Sequence, residues 1–75
     1  MKIIIINNIT NKIINEYEVI GAFSVPRVGD EIFTDFNEKF HYKIINVSYD
    51  LDTFIMSETN QISINTVYLK VESVN

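Results

Sequence analysis

The amino-acid sequence predicts an all-β protein: a small, strongly curved antiparallel barrel of five or six strands, SH3-like or similar. β-Branched and aromatic residues dominate, and one alanine and two leucines leave few good helix formers. Apolar and polar residues alternate along several segments, which is the period of a half-buried strand. In two long segments this alternation slips by one residue, as it does where a β-bulge bends a strand. With 75 residues, the chain forms one domain, residues 1–75.

The N-terminal segment predicts a β-hairpin. Residues 3–9 are rich in isoleucine and form the first strand. Residues 10–12 are a polar break of hairpin length, in which Asn11 tolerates the positive φ that tight turns need. Residues 13–23 form the second strand, because apolar and acidic residues alternate within them; a helical reading of this segment fits less well.

A turn and a short strand follow. Pro26 lacks a backbone donor and interrupts the sheet ladder, whereas Gly29 adopts a positive φ at no steric cost. Asp30 accepts hydrogen bonds from nearby backbone N–H groups. We therefore predict that the turn is followed by a short strand at residues 31–34 and that residues 35–38 form the next turn.

Residues 39–49 and 62–72 predict two long strands. In the first, the apolar phase changes after Ile44, and in the second it changes after Ile64. Each change predicts a mid-strand bulge, and two bulged strands favour a curled sheet over a flat one.

The stretch from 50 to 61 has two readings. Residues 54–56 favour a short strand that turns back at residues 58–61. In the alternative, Asp52 caps one turn of helix.

Charge and residue usage exclude several classes of function. The chain has six Lys and Arg and ten Asp and Glu, which gives a net charge of −4. The basic residues form no cluster along the sequence, and both features argue against nucleic-acid binding. No cysteine is present, and His41 is the single histidine, so thiolate and multi-histidine metal sites are excluded. His41 lacks the nucleophile and orienting partner of a general base, and we read it as an outward-facing strand residue. We therefore predict no enzyme activity and no cofactor or metal.

The sequence also carries no targeting signal that we recognise. The run of four isoleucines after Met1 and Lys2 is too short for a signal peptide, and no stretch approaches the ~20 apolar residues of a membrane span. We predict a soluble cytoplasmic protein without a membrane partner.

One local motif supports a resemblance. The segment Pro26-Arg27-Val28-Gly29-Asp30-Glu31-Ile32, followed by the strand over residues 42–50, resembles small β-barrel proteins of phages, prophages and bacterial mobile elements. These share an N-terminal hairpin, a P-R-x-G-D-x-[IV] turn, a Y-x-[IV]-x-x-V-x-[YH] strand and a final strand. The resemblance covers residues 2–50 and the last strand. It implies an SH3-like barrel in a phage or mobile-element setting, hence in the host cytoplasm, and no catalytic residues.

Several side chains are candidates for binding. Nine aromatic residues exceed what the interior of so small a barrel holds, so some lie on the surface and describe a protein-binding patch. Candidates for ligand or partner binding are Arg27, Asp30, Phe36, Tyr42, Lys43 and Tyr49. In one interpretation, Arg27 and Asp30 bind an anion. In the other, which we favour, Asp30 forms hydrogen bonds within the turn and Arg27 is a surface cation. Asp50 and Asp52 have cation-loop spacing, but the rest of a calcium-loop pattern is missing, which favours a solvated loop.

The function predicted from these features is that of a small non-enzymatic protein that binds and inhibits a host protein, such as a defence component. The first alternative is an oligomer that sequesters a nucleotide or another small ligand with Arg27, Lys43 and a tyrosine face. The second is single-strand nucleic-acid binding by aromatic stacking. The chain is also predicted to pair with itself through the N-terminal strand or the aromatic face. For the strand, the residues are Ile3, Ile4, Ile5 and Ile6, since a barrel covers only one face of them.

Overall fold

The computed structural model of the protein describes residues 1–21, 23–33, 41–56 and 59–74. These contain five strands: β1 (Lys2–Asn7), β2 (Ile13–Glu18), β3 (Glu31–Phe33), β4 (His41–Met56) and β5 (Thr59–Ser73). The strands form one sheet in the order β2-β1-β5-β4-β3, curled into a half-barrel. The predicted all-β class is confirmed. Within the described ranges no helix is long and apolar enough to cross a membrane.

The strand directions differ from the prediction at one place. Three pairings are antiparallel, as expected, but β1 and β5 are parallel. No hairpin joins these two strands, so nothing local fixes their relative direction. The alternation of apolar and polar residues determines only which face of each strand is buried. Parallel and antiparallel pairing are both compatible with it.

The core lies on the concave face of the sheet. It is formed by Ile3, Ile5, Tyr42, Ile44, Val67, Leu69 and Val71. In the parallel register Ile3 lies beside Val67, and Ile5 beside Leu69, so both strands bury the same face. Ile4 and Ile6 point to the convex face and are half-buried.

These positions bear on the predicted self-association through Ile3 to Ile6. β1 lies between β2 and β5, so neither of its edges is open to a second copy. Its alternate isoleucines are divided between the core and the convex face, which leaves only Ile4 and Ile6 for any contact.

The two predicted bulges are confirmed. The register of β4 against β5 shifts at Ile45, between Ile44 and Asn46. It shifts again between Asp50 and Leu51, where Asn65 is the extra residue of β5. Both lie where the apolar phase of the sequence slips, so the side chains on either side of each bulge stay on one face.

The N-terminal hairpin is shorter than predicted. β1 ends at Asn7 because its Oδ1 accepts hydrogen bonds from the backbone N–H groups of Ile9 (2.8 Å) and Thr10 (3.1 Å). These amides therefore turn away from the ladder. Asn11 has a φ of 59°, as expected of this turn. β2 ends at Glu18 rather than near residue 23.

The turn before β3 has the predicted chemistry. The Arg27 N–H donates to Asp30 Oδ2 (2.8 Å), and the Asp30 N–H donates to the Arg27 carbonyl (3.0 Å). Gly29 has a φ of +94°. Backbone hydrogen bonds from Gly29 to Ile44 and from Ile44 to Asp30 hold the turn against β4.

β4 and β5 extend well beyond the other strands. β3 pairs with β4 only over residues 41–43, and β1 pairs with β5 only over residues 66–71. We call residues 51–56 and 59–65, which pair only with each other, the hairpin arm, and the rest of the sheet the body. The longest dimension of the molecule, 51 Å, matches a 16-residue strand at about 3.3 Å per residue. Residues 54–56 are in a strand, as predicted, but they are the end of β4 and not a separate short strand. The predicted turn at residues 58–61 is wrong in extent, because β5 already begins at Thr59, and the helical alternative is wrong.

Candidate functional site

The concave face holds an apolar hollow of about 290 Å³. Its floor is made of the core residues Ile3, Ile5 and Leu69 from the two central strands. Alternation along β1 and β5 places these side chains on one face, where the two strands lie side by side. Every lining side chain is aliphatic, aromatic or proline, so the hollow offers apolar contact and no charged group.

Three aromatic rings stand at the rim of the hollow. Tyr17 comes from β2, Phe33 from β3, and Phe23 from the segment that connects these strands. Their exposed fractions are 40% for Tyr17, 45% for Phe23 and 68% for Phe33. The outer strands of the curled sheet thus bring together aromatic residues that are distant in sequence.

His41 supports this rim at β3. Its ring stacks on that of Phe33, with centroids 4.5 Å apart and an angle of 15° between planes. Its Nε2 lies 3.3 Å from Glu31 Oε2 without hydrogen-bond geometry, and the two groups form an ion pair when the imidazole is protonated. His41 alternates with the core residue Tyr42 and so lies on the outward face, as predicted. Its side chain is nevertheless half-buried, because it stacks on Phe33.

A wider, open cleft of about 560 Å³ lies on the convex side. Its polar groups are largely satisfied by one another. Asn65 Nδ2 donates to Asp52 Oδ2 (2.8 Å), and Thr66 Oγ1 donates to Asn65 Oδ1 (2.8 Å). The N-terminal ammonium of Met1 lies 3.4 Å from Glu18 Oε1. The cleft thus lacks the converging unsatisfied groups that orient a small ligand.

A hydrogen bond joins the body to the base of the hairpin arm. The Tyr68 hydroxyl donates to Asp50 Oδ2 at 2.5 Å. This hydrogen bond, then desolvation, then the charge of Asp50 raise the pKa of Tyr68 above its ordinary value. Asp50 and Asp52, weighed above as a cation pair, are thus engaged by a tyrosine and an asparagine. Among the residues that the structure describes, no three acidic or histidine side chains form a metal-binding group.

The hairpin arm carries a second apolar surface. Leu51 lies opposite Ile64, and Ile62 lies opposite Thr53, so the apolar members of these pairs share one face. Tyr49 precedes them on the same face, opposite the core residue Val67. We call Tyr49, Leu51, Ile62 and Ile64 the apolar row; all four are exposed. The row continues the core face of the body beyond Thr66, where β1 begins at Lys2.

The predicted binding residues fall in different places. Arg27 and Asp30 form the turn beside Ile44, and both are exposed. Tyr42 is a core residue, which removes its ring from the surface. Tyr49 belongs to the apolar row, and Phe36 lies outside the described residues.

Lys43, the remaining candidate, lies on the exposed face of β4. The sheet register places it between Glu31 of β3 and Glu72 of β5. Its nearest charged neighbours in the sheet are therefore carboxylates, which disfavours an added anion at this position.

The chain matches no protein-family model, and neither the curated proteins nor the solved structures contain a match. The resemblance to small phage and mobile-element barrels stays a prediction from the turn and strand motifs. The geometry of the chain itself carries the functional argument.

The sequence contained only a weak signal for the hollow. The sequence analysis included Tyr17, Phe23 and Phe33 among the aromatic residues that exceed the capacity of the core. It did not predict where on the surface they lie. Phe23 is the last residue of the predicted second strand and lies between Gly21 and Pro26, and this position near two strand-breaking residues is a local sign of an exposed ring. The meeting of β2 with β3 depends on the curl of the sheet, which brings the three rings to one rim.

Proposed function

We propose that this protein is a small non-enzymatic binding module whose apolar hollow receives an apolar side chain of a partner protein. The observation that carries the proposal is the wholly apolar lining together with exposed aromatic rings at the rim. Buried aromatic anchors that fill pockets dominate the energetics of protein interfaces. The volume, about 290 Å³, lies at the lower limit of small-molecule sites, and the lining lacks the polar groups that would orient such a ligand.

Charge supports a basic surface on the partner. The net charge is −4. Glu31 is exposed beside the Phe33 rim. An apolar anchor framed by Lys and Arg would meet complementary charge here, which raises the association rate and restricts the choice of partner.

A bacterial host protein is the partner that we propose, and inhibition by occlusion is the effect. This part rests on the resemblance of the Pro26–Ile32 turn and the following strand to phage and mobile-element barrels. A chain this small acts on a larger protein most simply by covering a surface that the larger protein needs.

The nucleotide-sequestering alternative has less support. Of its two cations, Lys43 has carboxylates on both neighbouring strands, and the Arg27 backbone is held in a turn by Asp30. Tyr42, the nearest tyrosine, is buried. We expect no thermal stabilisation by mono-, di- or cyclic nucleotides, whereas a ligand bound to the native state would raise the melting temperature.

Affinity capture with matched variants tests the proposal. The tagged chain is incubated with bacterial lysate beside the Phe23→Ala, Phe33→Ala and Ile20→Ala variants. Phe23 and Phe33 are exposed, so their truncation has little effect on the fold, which circular dichroism verifies. Ile20 is the control, because it is apolar and 94% exposed but does not line the hollow.

We expect one host protein to be enriched by the original chain and by the Ile20→Ala variant alike. Each rim truncation should weaken its affinity at least tenfold, as expected of a hot-spot residue worth about 2 kcal/mol. Equal capture by all four chains would show that the hollow is not the binding site. Stabilisation by a nucleotide would favour the sequestering alternative.

A further inference from the structure

One edge of β4 has no neighbouring strand over most of its length. β3 and the Asp30 turn cover this edge only as far as Ile44. From residue 45 to 56 the edge has no partner among the described strands. We call residues 46–52, which follow the bulge at Ile45, the open edge. At about 3.3 Å per residue the open edge is roughly 23 Å long.

The hydrogen bonds of Ile44 show which backbone groups the open edge presents. The N–H and C=O of Ile44 both bond to the Asp30 turn, so they point away from β5. These directions alternate along a strand, and the extra residue of the bulge shifts the alternation by one. Val47, Tyr49 and Leu51 therefore direct their N–H and C=O groups to the side that no described strand occupies.

Two carboxylates lie on the outward face of the open edge. Asp50 accepts a hydrogen bond from the Tyr68 hydroxyl, and Asp52 accepts one from Asn65 Nδ2. Both donors are neutral, and neither carboxylate forms an ion pair with a described residue. The open edge itself contains no Lys or Arg. A strand added here therefore meets uncompensated negative charge on this face.

The opposite face of the open edge is apolar. Val47, Tyr49 and Leu51 alternate with the polar residues, and the last two belong to the apolar row. Tyr49 is 47% exposed and Leu51 is 55% exposed, so β5 alone does not cover them. Apolar side chains on a neighbouring strand would bury both residues. The two faces of the open edge thus ask for different chemistry at alternate positions of an added strand.

The outer edge of β2 is similar in pattern but fits an added strand less well. Glu16 and Glu18 alternate there with Tyr17. β2 has only six residues, however, and the Met1 ammonium lies 3.4 Å from Glu18 Oε1 and compensates its charge. The open edge of β4 is longer, and both of its carboxylates lack such a cation.

We propose that the open edge of β4 binds an extended segment of a partner protein in which basic and apolar residues alternate. The segment pairs antiparallel, which is the more stable ladder, and adds a third strand to the sheet at this point. Opposed residues share a face, so its basic residues lie opposite Asp50 and Asp52. Its apolar residues lie opposite Tyr49 and Leu51. This surface shares no residue with the apolar hollow and does not depend on the function proposed for it.

A seven-residue peptide of alternating valine and lysine, acetylated and amidated, is the probe. Laid antiparallel along residues 47–53, with valine at both ends, it places a lysine opposite Ser48, Asp50 and Asp52. We expect saturable shifts in the amide NMR signals of residues 46–52. The control peptide has the same four valines and three lysines in two blocks, so it cannot keep the lysines on one face. It should bind at least about threefold more weakly.

N-methylation of the peptide tests the antiparallel ladder. In that pairing the valine N–H groups point to β4, because they oppose residues whose own groups point outward, and the lysine N–H groups point to solvent. Methylation of the two central valine nitrogens should weaken binding at least about tenfold. Methylation of two lysine nitrogens should change it by less than about twofold. The reverse pattern would assign a parallel strand and overturn the proposal.

Paired substitutions test the charge. In the Asp50→Asn/Asp52→Asn variant each side chain keeps an oxygen for its hydrogen bond but loses its charge. The dissociation constant of the alternating peptide should rise roughly 2- to 30-fold. The Glu16→Gln/Glu18→Gln variant is the matched control, because it removes the same charge from the edge of β2. It should leave the affinity unchanged.

Each remaining outcome also decides the question. The absence of saturable shifts at millimolar peptide overturns the proposal, as do equal binding of the block peptide and equal effects of the two charge variants. Shifts of the same amides on raising the protein concentration alone would assign the edge to a second copy instead. Phe33→Ala should not alter peptide binding, so a failure here is distinct from a failure of the apolar hollow.

Discussion

The body and the hairpin arm are built from the same two strands but differ in what covers them. In the body, β1 and β3 lie beside β5 and β4, and the face they share closes over Ile44, Val67 and Leu69. In the arm, the same alternation continues, yet Leu51 and Ile62 stay exposed. Apolar residues at alternate positions of a strand thus indicate which face of the strand is stabilised by burial. The topology decides whether other strands of the same chain bury that face.

The two leucines of the chain test this difference with identical chemistry. Leu69 is 2% exposed in the body, and Leu51 is 55% exposed in the arm. We expect Leu69→Ala to lower the free energy of unfolding by about 2–5 kcal/mol, because it leaves a cavity in the core. At low protein concentration Leu51→Ala should cost less than about 1 kcal/mol.

Urea denaturation followed by circular dichroism measures both effects. A domain of this size has only a few kcal/mol of stability, so the Leu69→Ala variant should be largely unfolded without denaturant. Similar losses for both variants would mean that the arm is as well packed as the body, and the division between them would then be wrong.

The sequence predicts the local parts of this architecture well. Both bulges were visible as phase slips after Ile44 and Ile64, because the extra residue of a bulge shifts the alternation when the apolar residues stay on one face. The turn chemistry of Asn11 and Gly29 was visible for the same local reason. The parallel pairing of β1 with β5 was not, since alternation is independent of strand direction.

The candidate site was less predictable than the fold. Ile62 and Ile64 have the same pattern as Val67 and Leu69. Only the position where β1 begins, with Lys2 beside Thr66, makes the first pair exposed and the second buried. Tyr42 shows the converse, because an aromatic residue predicted for binding lies in the core. Distances along the sequence contain no information on which strands meet around a hollow.

The junction of body and arm gives the smallest expected effect. The pKa of Tyr68 is raised chiefly by its hydrogen bond to Asp50, so the folded protein holds this proton more tightly than the unfolded chain. The resulting stabilisation is fully present below pH ~10 and is lost as the pH rises through the raised pKa. The melting temperature should therefore fall more steeply above pH 10 for the original chain than for the Tyr68→Phe variant.

Tyr49→Phe is the matched control for this measurement, because Tyr49 is exposed in the apolar row at the same junction and points to the opposite face of β4 from Asp50. Its melting curve should follow that of the original chain across the alkaline range. Parallel curves for all three chains would remove the hydrogen bond as a source of stability between body and arm.

Residue-resolved amide hydrogen exchange tests most directly the claim that neighbouring strands cover the body and leave the hairpin arm uncovered. At low concentration we predict slow exchange for residues 66–71 of β5, between β4 and β1, and much faster exchange for residues 51–56 and 59–65. Uniform protection along β4 and β5 would contradict the account, because the arm would then be as well protected as the body.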